Sequence, residues 1–196
     1  LGEIWMGAAK GCRSAVMVTL GTGVGGGVIV NGKVIDGAHG AGGEIGHITV
    51  NPKETAVCGC GKHGCLEQYS SATGVVRCMK KLLEENPDTP CVLRGADFAA
   101  KDVFDAARSG DALAAREVDD MTDMLGLALA TIAATADPEV FLVGGGVSRA
   151  GDVLFQPLAE HYKTYAFKSC RETPIKQASL GNDAGIYGAV RLIVGA

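Results

Sequence analysis

The sequence predicts an α/β fold built on a largely parallel sheet, with an antiparallel hairpin added to it. Two short apolar runs, 14–20 and 139–143, each end in a cluster of glycines, as buried strands do when a loop must approach a ligand closely. Stretches with helical spacing alternate with these runs, and such alternation is typical of parallel sheets. The pair Asn31-Gly32 lies between two β-rich segments and is a strong signal for a hairpin turn.

The elements follow in this order. A strand over 14–20 leads into a glycine-rich loop over 21–27, and a hairpin follows over 28–35. A further strand over 47–50 is expected to lead into a cysteine-rich loop. The remaining expectations are helices over 67–86, 98–109, 111–136, 153–165 and 183–194, and strands over 139–143 and 175–180.

Turn residues mark the ends of these helices. Asn86-Pro87 ends the first, because the residue before a proline avoids helical geometry. Gly110 closes the second helix, which has Asp102 in its first turn, and Asp137-Pro138 breaks the third. The third helix has a wide apolar face made of Met121, Met124, Leu125, Leu127, Ala128, Leu129 and Ile132.

The segment Cys58-Gly-Cys-Gly-Lys-His-Gly-Cys65 predicts a zinc site. It contains three thiols within eight residues, and zinc is commonly held by four cysteine or histidine ligands in a tetrahedron. Spare thiols or a disulfide are the alternative. The chain has seven cysteines, an odd number, and its first residues show no secretory signal pattern. A reduced, cytoplasmic setting is therefore expected, where clustered cysteines usually bind metal.

Two histidines compete to be the fourth ligand. His47 is preferred, because His63 is confined between Cys60 and Cys65 inside the loop; His63 remains the rival. Four protein ligands leave no open position for water, so the predicted zinc is structural.

Two glutamates, Glu44 and Glu67, flank the predicted metal site, and carboxylates accept hydrogen bonds from hydroxyl groups such as those of a sugar. A metal-bound histidine has a second ring nitrogen free, so His47 could also reach a hydroxyl. The alternative for each glutamate is a solvated surface acid.

Two glycine clusters are candidate nucleotide-binding loops. Gly21-Thr22-Gly23 can turn backbone N–H groups toward an anion, and Gly144-Gly145-Gly146 precedes a helix. The first cluster lacks the Gly-Lys-Ser/Thr ending of a Walker A loop, and a hairpin rather than a helix follows it. The alternatives are a tight strand–strand turn and a packing run of glycines.

Composition argues against two other classes. The formal net charge is −4 and no cluster of lysines and arginines stands out, so nucleic-acid binding is not expected. No apolar run reaches the roughly 18 residues of a membrane helix, so no membrane association is expected.

Three motifs together identify a family resemblance. The segments 20–27 (Leu-Gly-Thr-Gly-Val-Gly-Gly-Gly), 40–47 (Gly-Ala-Gly-Gly-Glu-Ile-Gly-His) and 58–67 closely resemble the ROK family of sugar kinases and sugar-responsive repressors. Within it the chain is most similar to ATP-dependent glucokinases of bacteria. The resemblance extends over 143–148 and 181–185 and so covers nearly the whole chain.

The resemblance implies an actin/hexokinase-like (ribonuclease H-like) fold of two α/β lobes around a cleft. It implies zinc on His47, Cys58, Cys60 and Cys65. The resemblance further implies that Glu44, His47 and Glu67 contact sugar hydroxyls, while Gly21, Thr22, Gly23 and Gly144 to Gly146 lie near ATP with its Mg²⁺. The implied reaction is transfer of the γ-phosphoryl group of ATP to the 6-hydroxyl of glucose, in the cytoplasm, by a homodimer or homotetramer.

One part of the family pattern is missing. Kinases of the family begin with an Asp-x-Gly-Gly-Thr loop and carry a Glu-Asn-Asp motif whose aspartate is the general base, and neither occurs here. The chain is therefore expected to be the C-terminal lobe only, with no catalytic residue in it and no activity alone. Asp36, Asp137 and Asp183 lack the flanking sequence of the base.

The expected organisation of this single lobe, 1–196, is a sugar and zinc segment over about 37–70, a helical segment over about 67–136 and a nucleotide-side segment over about 137–196. Two alternatives remain: the sugar-sensing domain of a repressor of the family, and a kinase for another hexose such as N-acetylmannosamine or fructose.

Overall fold

A five-stranded mixed sheet forms the centre of the computed structural model, which describes residues 1–194. The strands, in chain order, are β1 (Ala15–Leu20), β2 (Val24–Val30), β3 (Lys33–Val34), β4 (Val140–Gly144) and β5 (Ile175–Gln177). The helices are α1 (Gly2–Met6), α2 (Glu67–Ser70), α3 (Ala72–Glu85), α4 (Ala100–Arg108), α5 (Ala112–Ala136), α6 (Asp152–Tyr165) and α7 (Ala184–Val194).

The strand order is β3-β2-β1-β4-β5, and it confirms a parallel core with a hairpin. β4 pairs in parallel with both β1 and β5, whereas β2 is antiparallel to β1 and β3. Asn31 and Gly32 turn the hairpin with φ of 52° and 79°, as a two-residue turn of this kind requires. Thr19 lies opposite Gly144, so β1 and β4 end at the same edge and their glycine turns meet there.

The predicted glycine-rich loop is shorter than expected. Only Gly21 to Gly23 form a turn, since β2 already begins at Val24 and its glycines continue the ladder with β1. Glycine disfavours strands, but here it allows a close approach: a Cβ on Gly26 would lie 2.5 Å from the side chain of Ile45. Tertiary packing therefore outweighs the local preference of the glycines.

Two other predictions were wrong in detail. No strand forms over 47–50; a 3₁₀ turn over Ile45–His47 precedes a single β-bridge between Thr49 and Cys65. The helix expected over 67–86 is two helices, because Ser71 is extended (ψ 164°) and caps α3, where its hydroxyl accepts a hydrogen bond from Gly74 N at 2.9 Å.

The other helices agree with the prediction to within a few residues. Asp102 lies in the first turn of α4 and accepts a hydrogen bond from Ala99 N at 2.8 Å, and Asp111 caps α5. α5 ends at Asp137, where φ is 42°. The last strand is shorter than the expected 175–180. None of the helices over residues 1–194 is both long and apolar enough to cross a membrane.

One main hydrophobic core joins the sheet to the helices. It extends from Val16 and Val18 of β1 and Phe141 of β4 to α5 and α6, where Leu129 and Tyr162 are fully or almost fully buried. The rings of Phe141 and Tyr162 meet edge to face with centroids 5.7 Å apart. This core fixes the sheet edge at which the two glycine turns lie.

Candidate functional site

The cysteine-rich loop folds into one compact cluster with a histidine. One ligand atom from each of His47, Cys58, Cys60 and Cys65 lies within 4.8 Å of the other three. The Sγ atoms of Cys60 and Cys65 are 3.6 Å apart, and Cys58 Sγ is 3.9 Å from His47 Nδ1. A hydrogen bond from Cys58 N to Lys62 O at 2.7 Å closes the tip of the loop.

These four residues fit a tetrahedral metal ion. Zinc–sulfur bonds of about 2.3 Å place the sulfurs of a tetrahedron about 3.8 Å apart, close to the separations in the cluster. All seven cysteines are free thiols, so no disulfide competes. Burial and the neighbouring thiols raise the pKa of Cys65 to about 12. A divalent cation would supply the positive charge that converts such a thiol to a thiolate ligand.

His63, the rival ligand, lies outside the cluster. The backbone of His63 pairs with that of Val57 in a β-bridge, and His63 Nδ1 lies 3.2 Å from the carbonyl oxygen of Ala56. His47 completes the set instead, because the 3₁₀ turn brings it beside Cys58. Lys62 Nζ donates a hydrogen bond to the His47 carbonyl at 2.8 Å and so joins the loop to this turn.

The three residues predicted to contact sugar lie side by side along the cluster. His47 Nε2 faces Glu44 Oε2 at 3.9 Å, and Glu67 Oε1 is 4.0 Å from Cys58 Sγ. The Glu44 side chain is 65% exposed and that of His47 is 32% exposed, so both can reach a ligand. Their contact with a sugar stays a prediction.

Glu67 also reaches the first glycine turn. Its Oε2 accepts a hydrogen bond from Val24 N at 3.1 Å, and a Cβ on Gly23 would lie only 2.2 Å from the same oxygen. Thr73 Oγ1 donates to Thr22 O at 2.7 Å, and Ala72 N donates to Gly21 O at 2.8 Å. The turn is therefore attached to the residues that begin α2 and α3.

The two glycine turns contribute to one cavity of about 530 Å³. Gly21, Thr22 and Gly146 line it, as expected for a shared site at one sheet edge. The other two glycines of the second cluster lie outside the lining. Gly145, with φ of 85°, packs against the backbone of Leu20 at the end of β1, and Gly144 packs in the sheet near Met17. Side chains that the sequence did not single out complete the lining, among them Ala100, Lys101, Phe104, Arg108, Val147 and Arg149.

A polar network holds the cysteine-rich loop against α2 and α3. The Tyr69 hydroxyl donates to Glu54 Oε2 at 2.8 Å, and Arg77 donates to the same oxygen at 3.2 Å. Gln68 accepts from Cys65 N and donates to Ala56 O. No motif marks these residues, so sequence reasoning missed them.

The same network makes acid stability a testable property. Backbone N–H donation from Ala56, the Tyr69 hydroxyl and Arg77 lower the pKa of Glu54 to about 2, although its burial alone would raise it. A carboxylate with a lowered pKa stabilises the fold above its ordinary pKa, and that contribution disappears as the pH falls from about 4.5 toward 2.

We expect Glu54→Gln to lower the free energy of unfolding at pH 7 by about 1–3 kcal/mol, since it replaces charge-assisted hydrogen bonds with neutral ones. Urea unfolding at pH 7 and pH 3 measures this. The difference between variant and wild type should shrink at the lower pH. Glu84→Gln, on an exposed position of α3, is the control and should behave as wild type. An equal difference at both pH values would contradict the role of the ionised Glu54.

Comparisons with known proteins define the class. The sequence profile of the ROK family matches residues 1–195. A glucokinase of Halalkalibacterium halodurans is 44% identical over 98% of this chain and 60% of its own length. The crystal structure of a ROK family glucokinase from Streptomyces griseus, in complex with glucose and AMPPNP, has a TM-score of 0.85 and 35% identity over 97% of this chain and 64% of that one.

A third similarity is to a regulator. The crystal structure of a ROK family transcriptional regulator, a homologue of the E. coli MLC protein, has a TM-score of 0.84 and 25% identity over 96% of this chain and 47% of that one.

The fold is thus that of actin/hexokinase-like sugar kinases, an α/β sheet that ends in two glycine turns beside a metal-ligand cluster. The chain belongs to the ROK family. It spans about three-fifths of the length of the curated glucokinases it matches, 60% of the first and 62% of the second.

Proposed function

We propose that this chain is the C-terminal lobe of an ATP-dependent glucokinase, which transfers the γ-phosphoryl group of MgATP to the 6-hydroxyl of glucose. The observation that carries the proposal is Glu67, whose carboxylate adjoins both Cys58 of the cluster and Gly23 of the first glycine turn, and accepts a hydrogen bond from Val24 N at the start of β2. One residue thus joins the proposed sugar site to the proposed nucleotide site. The names of the relatives, glucokinases from several bacteria, support the choice of sugar.

In this proposal the four-residue cluster holds a structural zinc ion. The ion supplies positive charge and rigidity to a loop that has little core of its own, and it leaves no open position for water. His47 Nδ1 faces the cysteine sulfurs, which leaves Nε2 directed toward Glu44. The ring is therefore oriented by the cluster toward the place where a sugar hydroxyl would bind.

The proposed sugar contacts are Glu44, His47 and Glu67. Ionised carboxylates accept short, strong hydrogen bonds from hydroxyls, and two of them with fixed spacing distinguish hexoses by the position of those hydroxyls. Which hexose fits best is part of the proposal.

The proposed nucleotide site is the cavity at the ends of β1 and β4. Gly21 and Thr22 line this cavity, and with Gly23 they form the turn proposed to meet the phosphates through backbone groups. Of Gly144 to Gly146, proposed for the nucleoside side, Gly146 lines the cavity, while Gly144 and Gly145 pack behind it. Phe104 and Val147 give the cavity an apolar wall. Its cations Lys101, Arg108 and Arg149 outnumber its one acid, Asp105, which pairs with Lys101 and Arg108, so the lining keeps a net positive charge. Phosphoryl transfer depends mainly on such positioning and charge stabilisation.

The proposal divides the lobe into a sugar and zinc segment over about 37–70, a helical segment over about 67–136 and a nucleotide-side segment over about 137–196. In the same proposal the complete enzyme works in the cytoplasm as a dimer or tetramer, and no residue of this chain is the general base.

Without a general base, we expect the 196-residue chain to produce no glucose-dependent ADP. A coupled assay with glucose and MgATP measures this, and a clear rate from the purified chain would contradict the proposed division of labour.

The decisive test uses the complete protein from which this chain derives. We expect it to phosphorylate glucose, and Glu67→Gln to lower kcat/KM for glucose about 10- to 100-fold, because a hydrogen bond to a charged acceptor contributes about 1.5–3 kcal/mol. Zinc content should not change in this variant. Glu84→Gln, far from the cluster in sequence and on the exposed side of α3, serves as the control. Absence of glucose-dependent ADP production by the complete protein would reject the proposal.

Two related functions remain as rivals. The similarity to a ROK transcriptional regulator favours a sugar-sensing domain, which needs the sugar site but no phosphate turn. A nucleotide analogue such as AMPPNP should bind the complete protein under our proposal and should not bind a sensor. The other rival is a kinase for another hexose such as N-acetylmannosamine or fructose. The coupled ADP assay with a panel of sugars distinguishes this kinase from a glucokinase.

A further inference from the structure

A buried carboxyl group without a partner lies away from the proposed sugar and nucleotide sites. Glu117 of α5 is only 3% exposed and lines a cleft of about 290 Å³ between α3 and α5. Within residues 1–194 its side chain makes no hydrogen bond or ion pair. Its oxygens are not among the fully buried polar atoms without a partner, where only Arg77 Nε is found in this part of the chain, so they open onto the cleft. Leaving a buried carboxyl group unpaired is costly. The lining of this cleft shares no residue with the nucleotide cavity.

The cation of α3 that acts on Glu117 is Arg77, whose side chain is 36% exposed and is already engaged by other groups. Its guanidinium donates to Glu54 Oε2 at 3.2 Å and to Gln68 O at 2.9 Å, and it lies over the ring of Tyr69 at 5.5 Å. Its charge is thus balanced mainly by Glu54. Arg77 makes no ion pair with Glu117.

The cations at the rim of the cleft also have acidic partners. Lys81 Nζ lies 3.8 Å from Glu85 Oε1, and Arg116 Nε lies 3.8 Å from Asp120 Oδ2. Within each of these two pairs the opposite charges cancel. Ionised Glu117 therefore leaves the cleft with one unmatched negative charge, which one monovalent cation would balance.

The remaining walls indicate what kind of cation fits. Leu82, Met121, Met124 and the ring of Tyr69 line the cleft with apolar surface. A hydrated metal ion gains nothing from such walls, and hard cations such as Ca²⁺ and Mg²⁺ prefer several oxygen ligands where this cleft offers one unpaired carboxylate. A short hydrocarbon chain would bury its methylene groups there, and flexible methionines adapt to its shape.

We propose that the cleft between α3 and α5 binds a small primary alkylammonium ion, with its ammonium group paired to Glu117 and its alkyl chain against Leu82, Met121 and Met124. Such a pair resembles other buried charges in proteins, which are tolerated when an opposite charge and hydrogen bonds satisfy them. The inference does not depend on the proposed sugar kinase activity.

Proton linkage gives this proposal a distinctive signature. Burial, and then repulsion by Asp120, raise the pKa of Glu117 to about 8, while Arg77 opposes the shift. Binding of a cation must therefore ionise the carboxyl group and release a proton at neutral pH. An alkylammonium stays charged over this range, since its pKa is near that of lysine, about 10.4. The charged and titratable groups around the cleft are Tyr69 of α2, Arg77, Cys78, Lys81 and Glu85 of α3, and Arg116 and Asp120 of α5.

Calorimetric titration of the chain with pentylamine tests the proposal. We expect affinity to rise about tenfold from pH 6 to pH 7 and to level off above pH 8, with close to one proton released at pH 7. Pentanol, which has the same shape without the charge, should not bind. Affinity that does not change with pH, or equal binding of pentanol, would overturn the proposal.

Two variants locate the site. Glu117→Gln keeps the shape but not the charge and should weaken pentylamine binding at least tenfold. Glu85→Gln, whose side chain is 57% exposed at the rim, should change it less than about threefold, as expected for an exposed ion pair.

If Glu117→Gln does not fold, carboxyl carbon NMR of the wild-type chain replaces it. Saturating pentylamine should lower the titration midpoint of Glu117 by about three pH units, as release of nearly one proton at pH 7 requires. An unchanged midpoint would overturn the proposal as firmly as unchanged binding to a folded variant.

Discussion

Replacement of Cys60 by serine is expected to remove bound zinc and to lower the free energy of unfolding by about 3 kcal/mol or more. Metal binding to a site that forms only in the folded chain adds directly to stability. Cys60 is exposed, so the substitution removes almost no apolar packing and its effect isolates the metal. Elemental analysis and urea unfolding of wild type and variant provide the two measurements.

The matched control is Cys12→Ser, which lies outside the cluster and should keep about one zinc per chain. Cys12 is partly buried at the edge of a small apolar cluster with Ala9 and Val140, so its replacement should cost about 1 kcal/mol, well below the loss expected for Cys60→Ser. A chelator added to wild type should reproduce the Cys60→Ser result. Metal-free wild-type protein that is as stable as the zinc-loaded form would reject the zinc assignment.

Gly145→Ala is expected to destabilise the chain by about 2–4 kcal/mol. Gly145 has φ of 85°, where an L-residue costs about 1–2 kcal/mol, and its new Cβ would lie 2.4 Å from the carbonyl oxygen of Leu20. That oxygen belongs to β1 and cannot move away as a flexible side chain could. Urea unfolding measures the loss.

The neighbouring Gly146→Ala is an unusually close control. Gly146 has ordinary helical angles of −60° and −40°, and a Cβ there would meet no atom within 4 Å. Its stability should stay within about 0.5 kcal/mol of wild type. Because Gly146 lines the cavity proposed to bind nucleotide, this variant also tests that proposal in a stable fold. Equal stability of the two alanine variants would contradict the geometry of the turn.

Most of the fold could be predicted from local signals. The apolar runs that became β1 and β4, the Asn31-Gly32 turn and the apolar face of α5 follow directly from periodicity and turn chemistry. The errors occurred where contacts between residues far apart in sequence determine the local structure. Nothing local reveals that the glycines after Val24 continue a strand, because their ladder partner is β1 and their neighbour is Ile45. The break at Ser71 depends on a cap within one apparently continuous helical pattern.

The candidate site divides in the same way. The cluster of His47, Cys58, Cys60 and Cys65 could be predicted because metal chemistry demands those residue types at close spacing. The network of Glu54 and Arg77 could not, since its members are 23 positions apart and carry no motif. Glu117 is still less visible in the sequence. It is one charged residue on a long helix, and only burial against α3 makes it unusual.

The contact between Gly23 and Glu67 limits how this protein can evolve. Any side chain at position 23 would occupy the space of a Glu67 carboxylate oxygen, since its Cβ would lie 2.2 Å away. The Glu67 carboxylate can rotate away from a new side chain, but it would then give up its hydrogen bond with Val24 N. The expected bias between the two positions therefore runs in one direction. Relatives in which glutamate at position 67 keeps this contact should keep glycine at position 23, whereas glycine at position 23 sets no requirement on position 67.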